Sequence, residues 1–138
     1  MAEMAITERI LLYIEKNLTQ DLSLEKIAGE LNYSKFYMAR AFKSDTGVTL
    51  YKYIQGRRLD ESARKLTETD RPIAEIAFEA GYGSQQAFTR AFRCVYDAAP
   101  QEYRRIGIFT PKQGRIRMGM RMKYAAFSLG VIRGRMAA

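Results

Sequence analysis

One motif occurs twice in this chain, and the two copies keep a common register. Arg40-Ala41-Phe42 lies in SKFYMARAFKSDTG at 34–47, and Arg90-Ala91-Phe92 lies in SQQAFTRAFRCVYD at 84–97. Each copy follows a short segment with Ile-Ala at its centre, Ile27-Ala28 and then Ile76-Ala77. Ile27 matches Ile76 and Tyr33 matches Tyr82 at an offset of 49. Ser34 matches Ser84, Met38 matches Phe88, Phe42 matches Phe92 and Tyr53 matches Tyr103 at an offset of 50. The second turn therefore carries one extra residue. A register held across two consecutive segments constrains the chain to fold as two similar units.

Apolar spacing makes those units helical. Positions i, i+3 and i+4 recur through the first 105 residues, and period-two alternation is hard to find, so the expected class is all-α. A first helix is expected over about 7–17, with Ile10, Leu11, Ile14 and Leu18 as its stripe and Thr7 as N-cap. Ser23 caps a second helix bearing Leu24, Ile27, Ala28 and Leu31. Asn32-Tyr33 turn the chain, and Ser34 caps a third helix that points Met38, Ala41 and Phe42 inward. Gly47 is suited to a left-handed stop. Thr49 caps a fourth helix over about 50–68, roughly 28 Å long at 1.5 Å per residue. Gly56 inside it is a local weakness, on the order of 1 kcal/mol against Ala. Pro72 opens a fifth helix at its first position. Gly81-Tyr82-Gly83 form the second turn. Ser84 then caps a sixth helix with Phe88, Ala91, Phe92 and Val95 inward, and Pro100 opens a short seventh.

Charge sharpens the division of the chain. The net charge is +8, from 23 basic and 15 acidic residues. Residues 108–138 hold seven of the bases (Lys112, Arg115, Arg117, Arg121, Lys123, Arg133, Arg135) and no acid, which leaves 16 basic and 15 acidic groups in residues 1–107. An anionic partner is implied, nucleic acid before membrane. In the repeated region, however, affinity has to come from placing bases on one face, because the sum is nearly neutral. The expected organisation is a domain over 1–107, with lobes near 7–48 and 70–107 joined by the long helix at 50–68. A basic tail over 108–138 is expected to be disordered, to fold only against something else, or to be the remnant of an effector domain.

Other classes of chemistry lack their residues. There is one cysteine, Cys94, and no histidine, which excludes an internal disulfide framework and argues against a His- or Cys-based metal site. No Gly-rich phosphate loop and no paired carboxylates at a credible spacing point to an enzyme. No cofactor is implied. The N-terminus has no secretory pattern, and the apolar run 124–132 is too short to span a bilayer, so a cytoplasmic protein is expected.

In a helix-turn-helix the second helix enters the DNA major groove and its outward residues face base edges. The outward set of the first unit is Lys35, Phe36, Ala39, Arg40 and Lys43; that of the second is Gln85, Gln86, Thr89, Arg90 and Arg93. Arginine suits guanine and glutamine suits adenine, while Phe36 and Ala39 offer apolar surface to thymine methyls. Lys43 and Arg93 are placed for phosphates, as are the N-terminal amides behind Ser34 and Ser84. The plain alternative for each polar residue is a solvated helix face; for Phe36 it is packing on Tyr33 or Tyr37. Cys94 reads as a helix residue without chemical consequence. Matching arginines in a repeated unit favour the reading role.

The stretch from about Thr7 to Arg105 resembles the DNA-binding domain of AraC/XylS-type transcription regulators. The second unit, PIAEIAFEAGYGSQQAFTRAFRCVYDAAPQEYRR, carries Ile-Ala, Gly-aromatic, Ser, Phe, Arg, Phe, Pro and Tyr-Arg at that family's spacing. SLEKIA, YSKF and SQQ resemble the compact MarA/SoxS/Rob group. The resemblance implies a homeodomain-like pair of helix-turn-helix subdomains joined by a linker helix. It implies a monomer that places two helices in successive major-groove segments of double-stranded DNA, and activation through RNA polymerase. Its base-reading positions fall on Phe36, Ala39 and Arg40, and on Gln85, Gln86, Ala87, Thr89 and Arg90. Asp97 departs from the usual glycine. A low-specificity architectural DNA-binding protein using the basic tail is the alternative.

Overall fold

The computed structural model describes residues 4–117. Among them are seven helices and no strand: α1 Ile6–Lys16, α2 Leu24–Leu31, α3 Lys35–Thr46, α4 Leu50–Glu68, α5 Ile73–Glu79, α6 Gln85–Tyr96 and α7 Pro100–Ile106. The chain forms two compact units. It passes from the first to the second within α4, between Ile54 and Gln55, and returns to the first at Arg115.

The first unit packs α1, α2, α3 and the opening turns of α4 around Ile10, Ile14, Ile27, Met38, Phe42 and Tyr53, all with no exposed surface. The α2–α3 turn is fixed by local chemistry. The Ser23 and Ser34 hydroxyls accept from the N–H groups of Lys26 and Tyr37. Asn32 closes α2 at φ 62°, a left-handed angle that Asn tolerates better than most residues. Gly47 closes α3 at φ 80°. Thr7 is not the α1 cap. Ala5 holds that position without a side-chain bond, while Thr7 lies inside the helix, 1 % exposed, and donates its hydroxyl to Asp45 near the end of α3. A threonine near a helix start reads locally as a cap, and nothing local encodes a carboxylate 38 positions away.

The second unit packs the rest of α4 with α5, α6 and α7. Leu59, Ala63 and Leu66 meet Ile76, Ala77, Phe88, Phe92, Tyr96 and Tyr103. The aromatic rings form a continuous file. Tyr82 lies 5.6 Å from Phe88, Phe88 5.5 Å from Phe92, and Phe92 stacks on Tyr96 at 4.6 Å. Val95 is half-buried against this core, and Tyr96, not expected to be inward, is buried in it. Pro72 is the cap of α5, one position before its expected place, a difference within the ordinary scatter of helix ends.

Packing does not stop at Gly107. Phe109 lies against the second core. The N–H groups of Lys112, Gln113 and Gly114 reach the Asp60 carboxylate at 2.9, 3.0 and 2.8 Å. In the first unit Ile116 is buried, with its N–H on the Tyr53 hydroxyl at 3.0 Å. Residues 108–117 therefore form a strap on the cores of their own chain, contrary to a tail that is disordered or awaits another surface. The expectation for 118–138 lies outside the described residues.

Candidate nucleic-acid interface

Helical periodicity decides what α6 shows to solvent. Phe88, Phe92 and Tyr96 recur every four residues and fix the buried face. Gln86, Arg90 and Arg93 fall away from that face and are exposed; Gln85, on the Phe88 stripe, is exposed because it opens the helix, and Thr89 is half-buried beside them. Ala87 is exposed at the first turn, where its N–H donates to the Ser84 hydroxyl at 3.1 Å. Gln85, Gln86, Thr89, Arg90, Arg93 and Cys94 line a hollow of about 690 Å³. Five of the seven residues assigned to α6 or its cap from the sequence line this hollow, Ala87 is exposed outside it, and Ser84 serves the helix start.

Cys94 was not among them. It is exposed, one turn beyond Arg90 and two beyond Gln86. The i, i+4, i+8 spacing would have found it, since it marks one stripe of a helix.

On α3 the assigned residues are less free. Lys35 pairs with Glu25 at 2.9 Å and holds its ammonium 5.3 Å from the Phe36 ring centroid. Both partners are exposed, so the pair is weak and a phosphate can displace Glu25. Hydrogen bonding and the charge of Lys35 hold the Glu25 carboxyl below its ordinary range. Phe36 is 68 % exposed. Tyr37 faces Tyr33 at 6.2 Å, and the Tyr33 hydroxyl accepts from Arg9 at 2.7 Å, so the tyrosines pair with each other and leave Phe36 open. Arg40 and Lys43 are exposed and Ala39 is half-buried. Lys43 reaches the Gly47 carbonyl at 3.4 Å, the end of its own helix. Ser34 caps.

The acids are sorted away from these faces. In the second unit Arg71 and Lys65 engage Glu79, and Arg64 engages Glu61 and Glu68. In the first unit Lys26 engages Glu30. Among the described residues no carboxylate lies within ion-pair distance of Arg40, Arg90 or Arg93. A nearly neutral region therefore exposes uncompensated guanidinium groups on its two candidate reading helices, an arrangement suited to bidentate contact with base edges or phosphates. No cluster of ligands that could hold a metal occurs among the described residues, and none of their helices is long and apolar enough to cross a membrane.

A family model described as a helix-turn-helix domain matches residues 27–106. The chain is 44% identical over 95 residues to the multiple antibiotic resistance protein MarA of Escherichia coli strain K12, covering 69% of this chain and 75% of MarA. It is 39% identical over 104 residues to the regulatory protein SoxS of Salmonella typhimurium, covering 75% of this chain and 97% of SoxS. The C-terminal domain of AraT, a response regulator from Geobacillus stearothermophilus, superposes with a TM-score of 0.71 at 32% identity, covering 83% of this chain and 96% of that domain.

Proposed function

Because the chain belongs to the AraC-type helix-turn-helix family, in the group of MarA, SoxS and Rob, we propose that it reads DNA as a monomer by laying α3 and α6 in successive major-groove segments. The chain is a DNA-binding transcription regulator, not an enzyme. The observation that carries the finer reading is the pair of exposed, uncompensated arginines at matching positions of the two units, Arg40 and Arg90. Two reading helices in one chain supply what a two-fold dimer supplies elsewhere, so one copy suffices for two half-elements.

The division of labour follows from the side chains. Gln85, Gln86, Thr89 and Arg90 carry hydrogen-bonding groups for base edges, whereas Phe36 and Ala39 offer contact to thymine methyls and leave Arg40 as the one strong donor of α3. Lys35, Lys43 and Arg93, with the N-terminal amides behind Ser34 and Ser84, hold phosphates. Residues 1–107 carry the reading elements. Activation through contact with RNA polymerase is the transcriptional outcome we assign.

Binding-site selection with the full chain tests the reading. A motif of two half-elements about one helical turn apart is expected. Arg90→Ala should lose roughly tenfold or more of its discrimination at one base pair of one half-element, in line with a lost bidentate contact. Selection that returns no motif would instead favour an architectural role. Two of the three described tail bases already have internal contacts: Lys112 lies 5.8 Å from the Tyr96 ring centroid and Arg115 lies 4.0 Å from Glu15.

A further inference from the structure

Asp60 is the most fully coordinated acid in the second unit, and the family-matched residues 27–106 contain only part of its surroundings. It sits in the middle of α4 with no exposed surface. A carboxylate accepts only, with about four lone-pair directions. Four donors fill them. The Tyr96 hydroxyl and the Lys112 N–H meet Oδ1 at 2.5 and 2.9 Å, and the Gln113 and Gly114 N–H groups meet Oδ2 at 3.0 and 2.8 Å. Arg57 supplies the opposite charge at 3.7 Å. Burial first, and the Asp60 hydrogen bond second, push the Tyr96 phenol well above its ordinary range, so it remains a donor.

Each donor matters to α6. Tyr96 is the last residue of that helix, stacked on Phe92 and set edge-on to Tyr103 at 5.0 Å. Its hydroxyl ties the C-terminal end of α6 to α4. At the other end Phe88 packs on Tyr82, outside the helix. A helix held at both ends cannot roll about its axis, and roll decides where Gln86, Arg90 and Arg93 point. The strap supplies three of the four donors that keep the Asp60 carboxylate in place. Lys112 also lies over the Tyr96 ring. Gly56 admits the strap to this spot: a Cβ there would stand 2.9 Å from the Gln113 Cβ.

We propose that Asp60 is a positioning residue for DNA reading, acting through Tyr96 and the strap at 112–114 to fix the roll of α6. The proposal rests on the reading of α6 as a recognition helix. Asparagine cannot replace this aspartate, because its NH₂ would face N–H or O–H donors on either side of the group.

The test uses the full chain and its selected site, with single base-pair changes in each half-element, at a temperature where circular dichroism shows each variant folded. Asp60→Asn is expected to reduce discrimination in the α6 half-element from about tenfold per base pair to within about threefold, while discrimination in the other half-element and the salt slope stay as in the parent. Tyr96→Phe should move in the same direction by less. A role in stability alone would scale every site together through the folded fraction. Parental discrimination in folded Asp60→Asn overturns the proposal. If that variant does not fold, Tyr96→Phe and Gly56→Ala decide it by the same criterion. Arg90→Ala is the control: if it too leaves the half-element unchanged, the reading of α6 fails and the positioning role falls with it. If only Arg90→Ala changes it, the positioning role alone is wrong.

Discussion

Asp97 closes α6 where Gly47, fifty positions earlier, closes α3. Both adopt left-handed backbone angles, φ 57° and 80°. Glycine meets no Cβ penalty there, whereas an L side chain is strained by roughly 1 kcal/mol, somewhat less for aspartate. Glycine also widens the unfolded ensemble, which offsets part of the gain. Asp97→Gly is therefore expected to raise stability by about 0.5 kcal/mol, read as a higher urea midpoint at unchanged slope. A lower midpoint would show that the Asp97 carboxylate contributes more than its backbone strain costs. Asp97 was visible in the sequence as a departure from the family's usual glycine, and only the angle converts that departure into a sign. Thr7 teaches the converse. Its cap-like position was legible, but its partner Asp45 was not, because the bond depends on how α1 meets α3.

At the scale of elements, α5 shows what local signals leave out. Seven residues are too few for a self-sustaining helix, and no side chain caps its start. Its charged face is held by a fork: Arg71 meets both Glu79 oxygens at 2.9 and 2.6 Å and Glu75 at 3.3 Å, while Lys65 adds a bond to Glu79 at 2.8 Å. Arg104 donates to the carbonyls of Leu66 and Arg71, tying the α4–α5 corner to α7. The hydrogen bond from Arg71 first, and that from Lys65 second, lower the Glu79 carboxyl to about 2. A depressed carboxyl contributes stability above its unfolded value near 4.5, and that contribution is lost as pH falls through the folded value near 2. Glu79 is about one-third exposed, so solvent screening reduces the contribution to on the order of 1 kcal/mol. Arg71→Gln should flatten the loss of stability between pH 4.5 and 2 in urea titrations, and an unchanged acid limb would assign the effect to Lys65. The helices, their serine caps and the outward face of α6 were all legible from spacing. The Asp60 clamp and the burial of Ile116 were not. They join positions 36 to 63 apart in sequence, and a single aspartate on a helix reads as a solvated residue. Gly56, weak by propensity alone, is a clearance site for the strap.

Over the whole chain, the excess charge and the packed structure divide at different places. Charge changes character after Gly107, whereas the strap continues into the cores through Ile116. A truncation designed on charge alone, removing 108–138, would also strip three donors from buried Asp60 and empty the Ile116 site. Two truncations separate these effects. Removal of 118–138 takes away Arg121, Lys123, Arg133 and Arg135 and leaves the strap. Each base resting on a phosphate contributes about 0.9 to the slope of log affinity against log salt, so this deletion should lower the slope by about 1 to 4. Specificity, which the proposed reading gives to α3 and α6, should not change. Removal of 108–138 should show at least that electrostatic loss, since Lys112, Arg115 and Arg117 go too, and, in addition, lower stability by roughly 3–5 kcal/mol relative to the shorter deletion, because a buried carboxylate loses its partners and an isoleucine its burial. Equal stability of the two truncated chains would mean that the strap is dispensable. An unchanged salt slope in the shorter deletion would mean that the distal bases do not rest on phosphates, leaving affinity to the guanidinium groups and helix N-termini of the two units.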